Sequence, residues 1–214
     1  ALVYAYKTDP ENRVFDHKDI QLGVAVSLQV ALAIQRNQIL EKARVLEEWA
    51  LTDSLTGLDN RRHILKKAEL EFIRAGRFNH PLTTILMDID DFKQVNDTHG
   101  HDIGDQVIRG IGQRCRSHLR SVDIFGRYGG DEYLIFLIET DYDRALAVAD
   151  RLRKCVAAEP ITTDKGPLEV TVSMGVAAKG QTCSNATDMI QLADMSLLAA
   201  KKSGKNKRHP TLKN

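Results

Sequence analysis

Two acidic clusters carry the residue types that could do chemistry. Asp88-Ile89-Asp90-Asp91-Phe92-Lys93 closes one apolar run, and Gly129-Gly130-Asp131-Glu132-Tyr133 separates two others. Carboxylates gathered where strands end repel one another unless a cation sits among them. Magnesium takes oxygen ligands, commonly one or two carboxylates plus substrate phosphates. Along an extended strand Asp88 and Asp90 fall on one side, with the Ile89 carbonyl free to coordinate. A two-metal site built there would polarise a phosphate and activate an oxygen nucleophile. Gly129 and Gly130, lacking side chains, let a bulky ligand approach the backbone and permit positive φ. Taken singly, a Gly-Gly hairpin is ordinarily a turn and an acidic strand end a solvated loop. Occurring together, they point to phosphate chemistry.

Holding these clusters requires strands and covering helices. Residues 82–87 read as a buried strand. Residues 122–128 and 133–138 read as two strands, joined as a hairpin through Gly129-Gly130-Asp131-Glu132. Ile64, Leu65, Ala68, Leu70 and Ile73 give helical spacing over 61–77, and 104–119, 141–157 and 186–203 also read as helices. Residues 53–60 are turn-rich, and 168–178 read as one strand. The alternation of helices and strands around a hairpin indicates an α/β sandwich, with helices covering a mixed sheet. The tail after Asp194 holds Lys201, Lys202, Lys205, Lys207, Arg208 and Lys213 and no acid. It reads either as a bland basic terminus or as a phosphate-contacting helix end.

At the other end, residues 1–7 read as a strand, 8–13 as a loop and Asp16 as a helix cap. Ile20, Leu22, Val24, Val26, Leu28, Val30, Leu32 and Ile34 alternate as in a strand. No turn interrupts them, and helix formers follow, so one helix is predicted over 18–50. Leu32, Ile39 and Leu46 recur every seventh residue, with Ala43 and Ala50 on the neighbouring seam, a weak coiled-coil heptad. The alternative is a helix lying on its own domain.

Of 214 residues, 43% are hydrophobic and 28% charged, which excludes disorder and low-complexity fibres. Lys+Arg 30 against Asp+Glu 29 gives +1, which argues against nucleic acid as a partner. Cys115, Cys155 and Cys183 are odd in number and widely spaced, supporting neither a zinc site nor a disulfide framework. A reducing, cytoplasmic setting is expected. No basic-then-apolar leader follows Ala1, and the missing initial Met suggests a fragment or processed chain, with upstream sensor or membrane segments left open. The longest uncharged stretch, 20–35, falls short of the roughly 20 apolar residues a membrane span needs, so no direct membrane contact is expected here.

Four segments together resemble the GGDEF family of diguanylate cyclases. Arg127-Tyr128-Gly129-Gly130-Asp131-Glu132-Tyr133 looks like its signature hairpin, with Tyr133 where Phe is usual. Asp53-Ser54-Leu55-Thr56-Gly57-Leu58-Asp59-Asn60-Arg61-Arg62 looks like its opening motif. Asp88 through Asp97, followed by Gly100-His101-Asp102-Ile103-Gly104-Asp105, looks like its metal and guanine segment. Ala193-Asp194 through Ala200-Lys201 and Gly204-Lys205-Asn206 resembles its closing helix.

The resemblance covers residues 51 to 208 and assigns 51–214 to one domain. Residues 1–50 are left as a linker or coiled-coil helix behind a remnant that resembles the end of a GAF sensor domain. The family implies a palm-like mixed sheet, nucleotide-cyclase-like, and condensation of two GTP into cyclic di-GMP with pyrophosphate released. It implies Mg²⁺ or Mn²⁺, two per half-site, held by the Asp88 and Asp131 carboxylates and the Ile89 carbonyl. Asp131 would take the ribose 3′-hydroxyl proton, with Glu132 a second candidate. Asn96 and Asp105 would read guanine, with His101 in the same segment, and Gly129 and Gly130 would admit the substrate. Phe92 and Lys93 would offer backbone amides to the phosphates, and Lys93, Lys201 and Lys205 positive charge. Lys205 stands where Arg is usual, so bidentate grip is lost while charge remains. Leu198 stands where Tyr is common and is read as neutral.

Arg120-Ser121-Val122-Asp123 resembles the family's product-binding inhibitory site, with Arg151 a supplementary ligand. An Arg fork can grip a phosphate or guanine edge, and an Asp can accept from guanine N–H groups. Because each half-site holds one GTP, a homodimer is implied, through the leading helix or through facing domains. Two rival readings are a non-catalytic module binding GTP or cyclic di-GMP and a palm-type nucleotidyltransferase on nucleic acid. The intact carboxylates oppose the first and the +1 charge the second.

Overall fold

The computed structural model describes residues 17–49, 51–180 and 183–210, with the backbone alone at 41–49, 209 and 210. The strand expected at 1–7, the loop at 8–13 and the Asp16 cap lie outside the described residues, so of the stretch read as a GAF remnant only the helix is described. The chain divides into two units, residues 1–50 and 51–214.

In the first unit α1 (His17–Trp49) is one uninterrupted helix. A strand-like alternation placed on a helix spreads its side chains all around the axis. Accordingly the eight branched residues from Ile20 to Ile34 are each 42–66% exposed. Leu32 and Ile39 of the heptad are exposed with them; Leu46 and Ala43 lie where only backbone is described, and Ala50 lies outside the described residues. No described helix is long and apolar enough to cross a membrane.

The second unit is built on a five-stranded sheet. Its strands are β1 (Leu82–Ile89), β2 (Ile124–Gly129), β3 (Glu132–Ile138), β6 (Val172–Ala178) and β7 (Arg208–Pro210). The order is β2-β3-β1-β6-β7, antiparallel except for the parallel β6–β7 pair. A separate hairpin joins β4 (Ile161–Thr163) to β5 (Gly166–Leu168). Along β1, Ile85, Met87 and Ile89 face one core and Leu82 and Leu86 the other. The first core is closed by α4 (His101–Arg116) and α5 (Tyr142–Ala158), the second by α2 (Arg61–Phe78) and α6 (Ala186–Lys202). This is the helix-covered mixed sheet expected from the sequence.

Local chemistry sets the boundaries. Asn60, Asp141 and Asn185 cap α2, α5 and α6 by accepting from backbone N–H groups three residues on. Asn79 ends α2 in the left-handed region, at φ 52. A short helix, α3 (Phe92–His99), escapes the sequence pattern because its eight residues put only Phe92 and Val95 against the core, too few to show a period. The helix expected at 104–119 is α4, which begins earlier, at His101, just after Gly100 at φ 89. The single strand expected over 168–178 is two, β5 and β6, separated at 169–171. The basic tail contributes an edge strand, β7.

α6 lies directly on β6. A Cβ on Gly175 would stand 1.9 Å from the Ala193 carbonyl oxygen, so only glycine permits this approach. The closeness brings the last turns of α6 beside the end of β1.

Candidate active site

Asp88 sits at the end of the central strand, paired in register with Glu132 on β3 and Ser173 on β6. Cross-strand partners share a face, so Asp88 and Glu132 stand side by side. The Ile89 N–H donates to the Asp131 carbonyl at 3.3 Å, holding the hairpin tip against β1. Asp88 is 7% exposed, and the Lys201 ammonium lies 2.7 Å from its carboxylate. Burial pushes Asp88 up to about 6, opposed by the hydrogen bond from Lys201 and reinforced by Asp131 and Glu132. Glu132 is pushed up as well, by burial first and then by Asp131 and Asp194, with Lys201 and Arg61 opposing. The pocket therefore carries more negative charge than its own lysine balances.

Among the described residues no three acidic, His or Cys side chains converge into a metal cage. The donor set still suits Mg²⁺, which needs only one or two carboxylates when substrate phosphates complete its shell. Asp90, expected beside Asp88, is structural. Its carboxylate accepts from Ser173 at 2.7 Å, Thr171 at 2.6 Å and the Asn206 N–H at 2.9 Å, tying the tail to the sheet.

The hairpin tip is braced from the opening motif. Arg127 donates to the Gly130 carbonyl at 2.9 Å and pairs with Asp53 at 3.2 Å. Asp53 also accepts from the Thr56 N–H and hydroxyl, at 2.9 and 2.8 Å. Burial pushes the Asp53 carboxyl up, but the Thr56 hydrogen bonds and Arg127 together hold it below its ordinary range. The Arg127 N–H donates to the Asp59 carbonyl at 2.9 Å, which a Cβ on Gly126 would meet at 2.2 Å. The residues Asp53, Thr56 and Asp59 thus support the hairpin, a role that sequence reading did not assign. Their spacing as a turn was the only signal.

Phe92 and Lys93 form the first turn of α3, where helix geometry leaves N–H groups without carbonyl partners. Asn96 and Gly104 face each other across α3 and α4. A Cβ on Gly104 would stand 1.9 Å from Asn96 Oδ1, an oxygen that is buried without a hydrogen-bond partner. Such an orphan calls for a ligand group. His101 and Asp105 are exposed on α4, one turn apart. Because α4 starts at His101, Asp105 is not its cap. Lys205 bonds the Asp91 carboxylate, so both tail lysines stand on acids bordering the site. The Tyr133 hydroxyl donates to the Ile108 carbonyl inside the core, so the Phe-to-Tyr departure leaves no unpaired polar group.

Arg120 and Asp123 pair with each other. The Arg120 guanidinium lies 3.0 Å from Asp123 and also donates to the Ile138 carbonyl at 2.9 Å and the Thr140 hydroxyl at 2.8 Å. Asp123 is 5% exposed, while the Arg120 side chain is 58% exposed. A cavity of about 310 Å³ opens here, lined by Glu71, Arg74, Arg120, Val122, Ile138 and Glu139. Arg74 has no signal in the sequence; only folding brings α2 beside Arg120. Arg151 donates to the His118 carbonyl at 2.8 Å, in the turn leading to Arg120.

Residues 50–207 match the family described as diguanylate cyclase, GGDEF domain. The chain is 36% identical over 215 residues to the response regulator PleD of Caulobacter vibrioides, covering 92% of this chain and 47% of that protein. It is 32% identical over 209 residues to diguanylate cyclase A of Treponema denticola, covering 96% of this chain and 54% of that protein. The chain thus spans about half the length of these relatives. Among solved structures, the coiled coil and GGDEF domain of DgcB from Caulobacter crescentus, in complex with c-di-GMP, is similar at TM-score 0.76 and 26% identity. That match covers 86% of this chain and 99% of the other. From the Asp88–Glu132 pairing at the sheet end to the braced Gly-Gly hairpin, the site stands on a chain that belongs to the GGDEF-domain diguanylate cyclase family.

Proposed function

We propose that this chain condenses two GTP into cyclic di-GMP and pyrophosphate, each domain holding one GTP. The observation that carries the reading is the cluster of buried Asp88 with Asp131 and Glu132, whose mutual repulsion Lys201 and Arg61 oppose. Mg²⁺ or Mn²⁺, two per half-site, held by the Asp88 and Asp131 carboxylates and the Ile89 carbonyl, would neutralise phosphate charge and polarise the α-phosphate.

The chain's own residues do the rest. Asp131, or its neighbour Glu132, accepts the ribose 3′-hydroxyl proton. The freed 3′-oxygen of one GTP attacks the α-phosphate of the other, and pyrophosphate leaves. Phe92 and Lys93 present N–H groups to the phosphates, and Lys93, Lys201 and Lys205 offset their charge. Lys201 must give up Asp88 to do so. Asn96 and Asp105 bond the guanine edge, beside His101. Gly129 and Gly130 leave room for the nucleotide. Closing the ring needs two half-sites face to face, so the active form is a homodimer, set by α1 or by the domains themselves. Cyclic di-GMP also acts as inhibitor, at Arg120 and Asp123 with Arg151; Arg120 borders a cavity where Arg74 adds a second guanidinium beside Glu71 and Glu139. Residues 1–50 are assigned no sensing role.

Incubation with GTP and Mg²⁺ followed by nucleotide separation tests the reading. Cyclic di-GMP is expected, and Asp131→Ala abolishes it. GTP left intact by the dimeric chain would favour the non-catalytic module instead.

A further inference from the structure

α4 and α5 pack side by side under one face of the sheet. At their contact Cys115, fully buried, meets Cys155, half-buried at the margin of the same core. The two thiols perturb each other's ionisation across this contact, and the Cys155 thiol donates to the Leu152 carbonyl at 3.0 Å. Arg114, next to Cys115, reaches across to the carbonyls of Cys155 at 3.4 Å and Val156 at 3.0 Å. The backbones around the two sulfurs are thereby tied together. The Cys115 thiol holds Cys155 down to about 7; burial opposes this, and positive charge from His118, Arg114 and Arg151 adds to it. Cys183 lies in the core on the opposite face of the sheet.

We propose that Cys155 and Cys115 are a peroxide-responsive dithiol, Cys155 the reacting sulfur and Cys115 the resolving one. A partly exposed cysteine beside cations is the reactive kind once it loses its proton, and a buried thiol on the facing helix is placed to condense with its sulfenic acid. The Cys155 thiolate attacks a peroxide oxygen; the O–O bond breaks, leaving Cys155–SOH and hydroxide. The Cys115 sulfur then attacks the Cys155 sulfur, loses its proton, and water departs as the S–S bond forms. Overall two thiols and one hydrogen peroxide give a disulfide and two waters, with the two sulfurs together oxidised by two electrons and the peroxide reduced. The bridge clips α4 to α5 beneath the turn carrying Arg120 and Asp123.

The test treats the whole chain with a small excess of hydrogen peroxide, then counts thiols after denaturation and maps unreduced peptides. Free thiols fall from three to one, and the Cys115 and Cys155 peptides are joined, reversibly by dithiothreitol. In Cys115→Ala, dimedone captures Cys155 as a sulfenic acid. Oxidation of Cys183 at an equal rate, conversion of Cys155 to sulfinic acid without a bridge, or survival of all three thiols under peroxide that consumes free cysteine would each overturn the proposal. The mapping of the unmutated chain decides even if Cys115→Ala fails to fold.

Discussion

At the residue scale, Asp88 and Lys201 define the tension in the site. A carboxylate 7% exposed and flanked by two other acids is costly to keep charged, and one lysine shares it. Lys201→Ala is expected to have two opposite effects. Turnover falls on the order of 10²-fold, because a positive group facing the phosphates is lost. Mg²⁺ binding without nucleotide tightens, because the ammonium no longer competes for Asp88; calorimetric titration reads this. Arg120 poses a similar double demand. Arg120→Ala should remove inhibition by cyclic di-GMP in a rate assay. It should also cost about 1–3 kcal/mol in denaturant unfolding, because the buried Asp123 carboxylate loses its partner.

At the scale of elements, the hairpin depends on a loop far from it in sequence. Asp53 is held ionised by Thr56 and Arg127, so its carboxyl is lowered in the fold. A lowered carboxyl stabilises above its unfolded pKa, and the benefit disappears as pH falls through the folded value. Asp53→Asn is therefore expected to lose about 1 kcal/mol at pH 7, discounted for partial exposure, and the loss should shrink below about pH 4. Urea unfolding across that range checks it. The pairing of α3 with α4 makes a sharper case. Gly104→Ala places a methyl on Asn96, so the residue proposed to read guanine must move. KM for GTP should rise about ten- to hundredfold, with the thermal midpoint little changed. Neither α3 nor its fit against Gly104 shows in the hydrophobic pattern, because that pattern needs several turns and α3 sets only Phe92 and Val95 against the core.

At the scale of the whole molecule, the chain is a helix unit and a sheet unit. Between Ile20 and Leu40, α1 leaves large apolar side chains exposed, an arrangement that suits association with a second copy. A chain beginning at Leu51 should retain its fold, yet its specific activity at micromolar concentration should fall more than about tenfold and rise with concentration, because the helix no longer raises the effective concentration of the second half-site. Activity measured over a dilution series, with light scattering for mass, reads both. The near-neutral charge of +1 is an average over unlike regions: carboxylates at the sheet end, and lysines at and just beyond the end of the last helix that fold back onto them.

The α/β class, the hairpin and the four long helices of the sheet unit were legible in the residue order alone. Each rests on local periodicity, capping or turn chemistry, which neighbouring residues encode. What needed the folded chain was every relation between distant segments. Asp90 became a brace because Thr171, Ser173 and Asn206 converge on it. Arg74 met Arg120, and Cys115 met Cys155, across helix contacts that no spacing announces. Periodicity tells which face of an element is buried. Which residues share that burial is settled by packing, as the sheet order and the close approach of α6 to Gly175 bring them together.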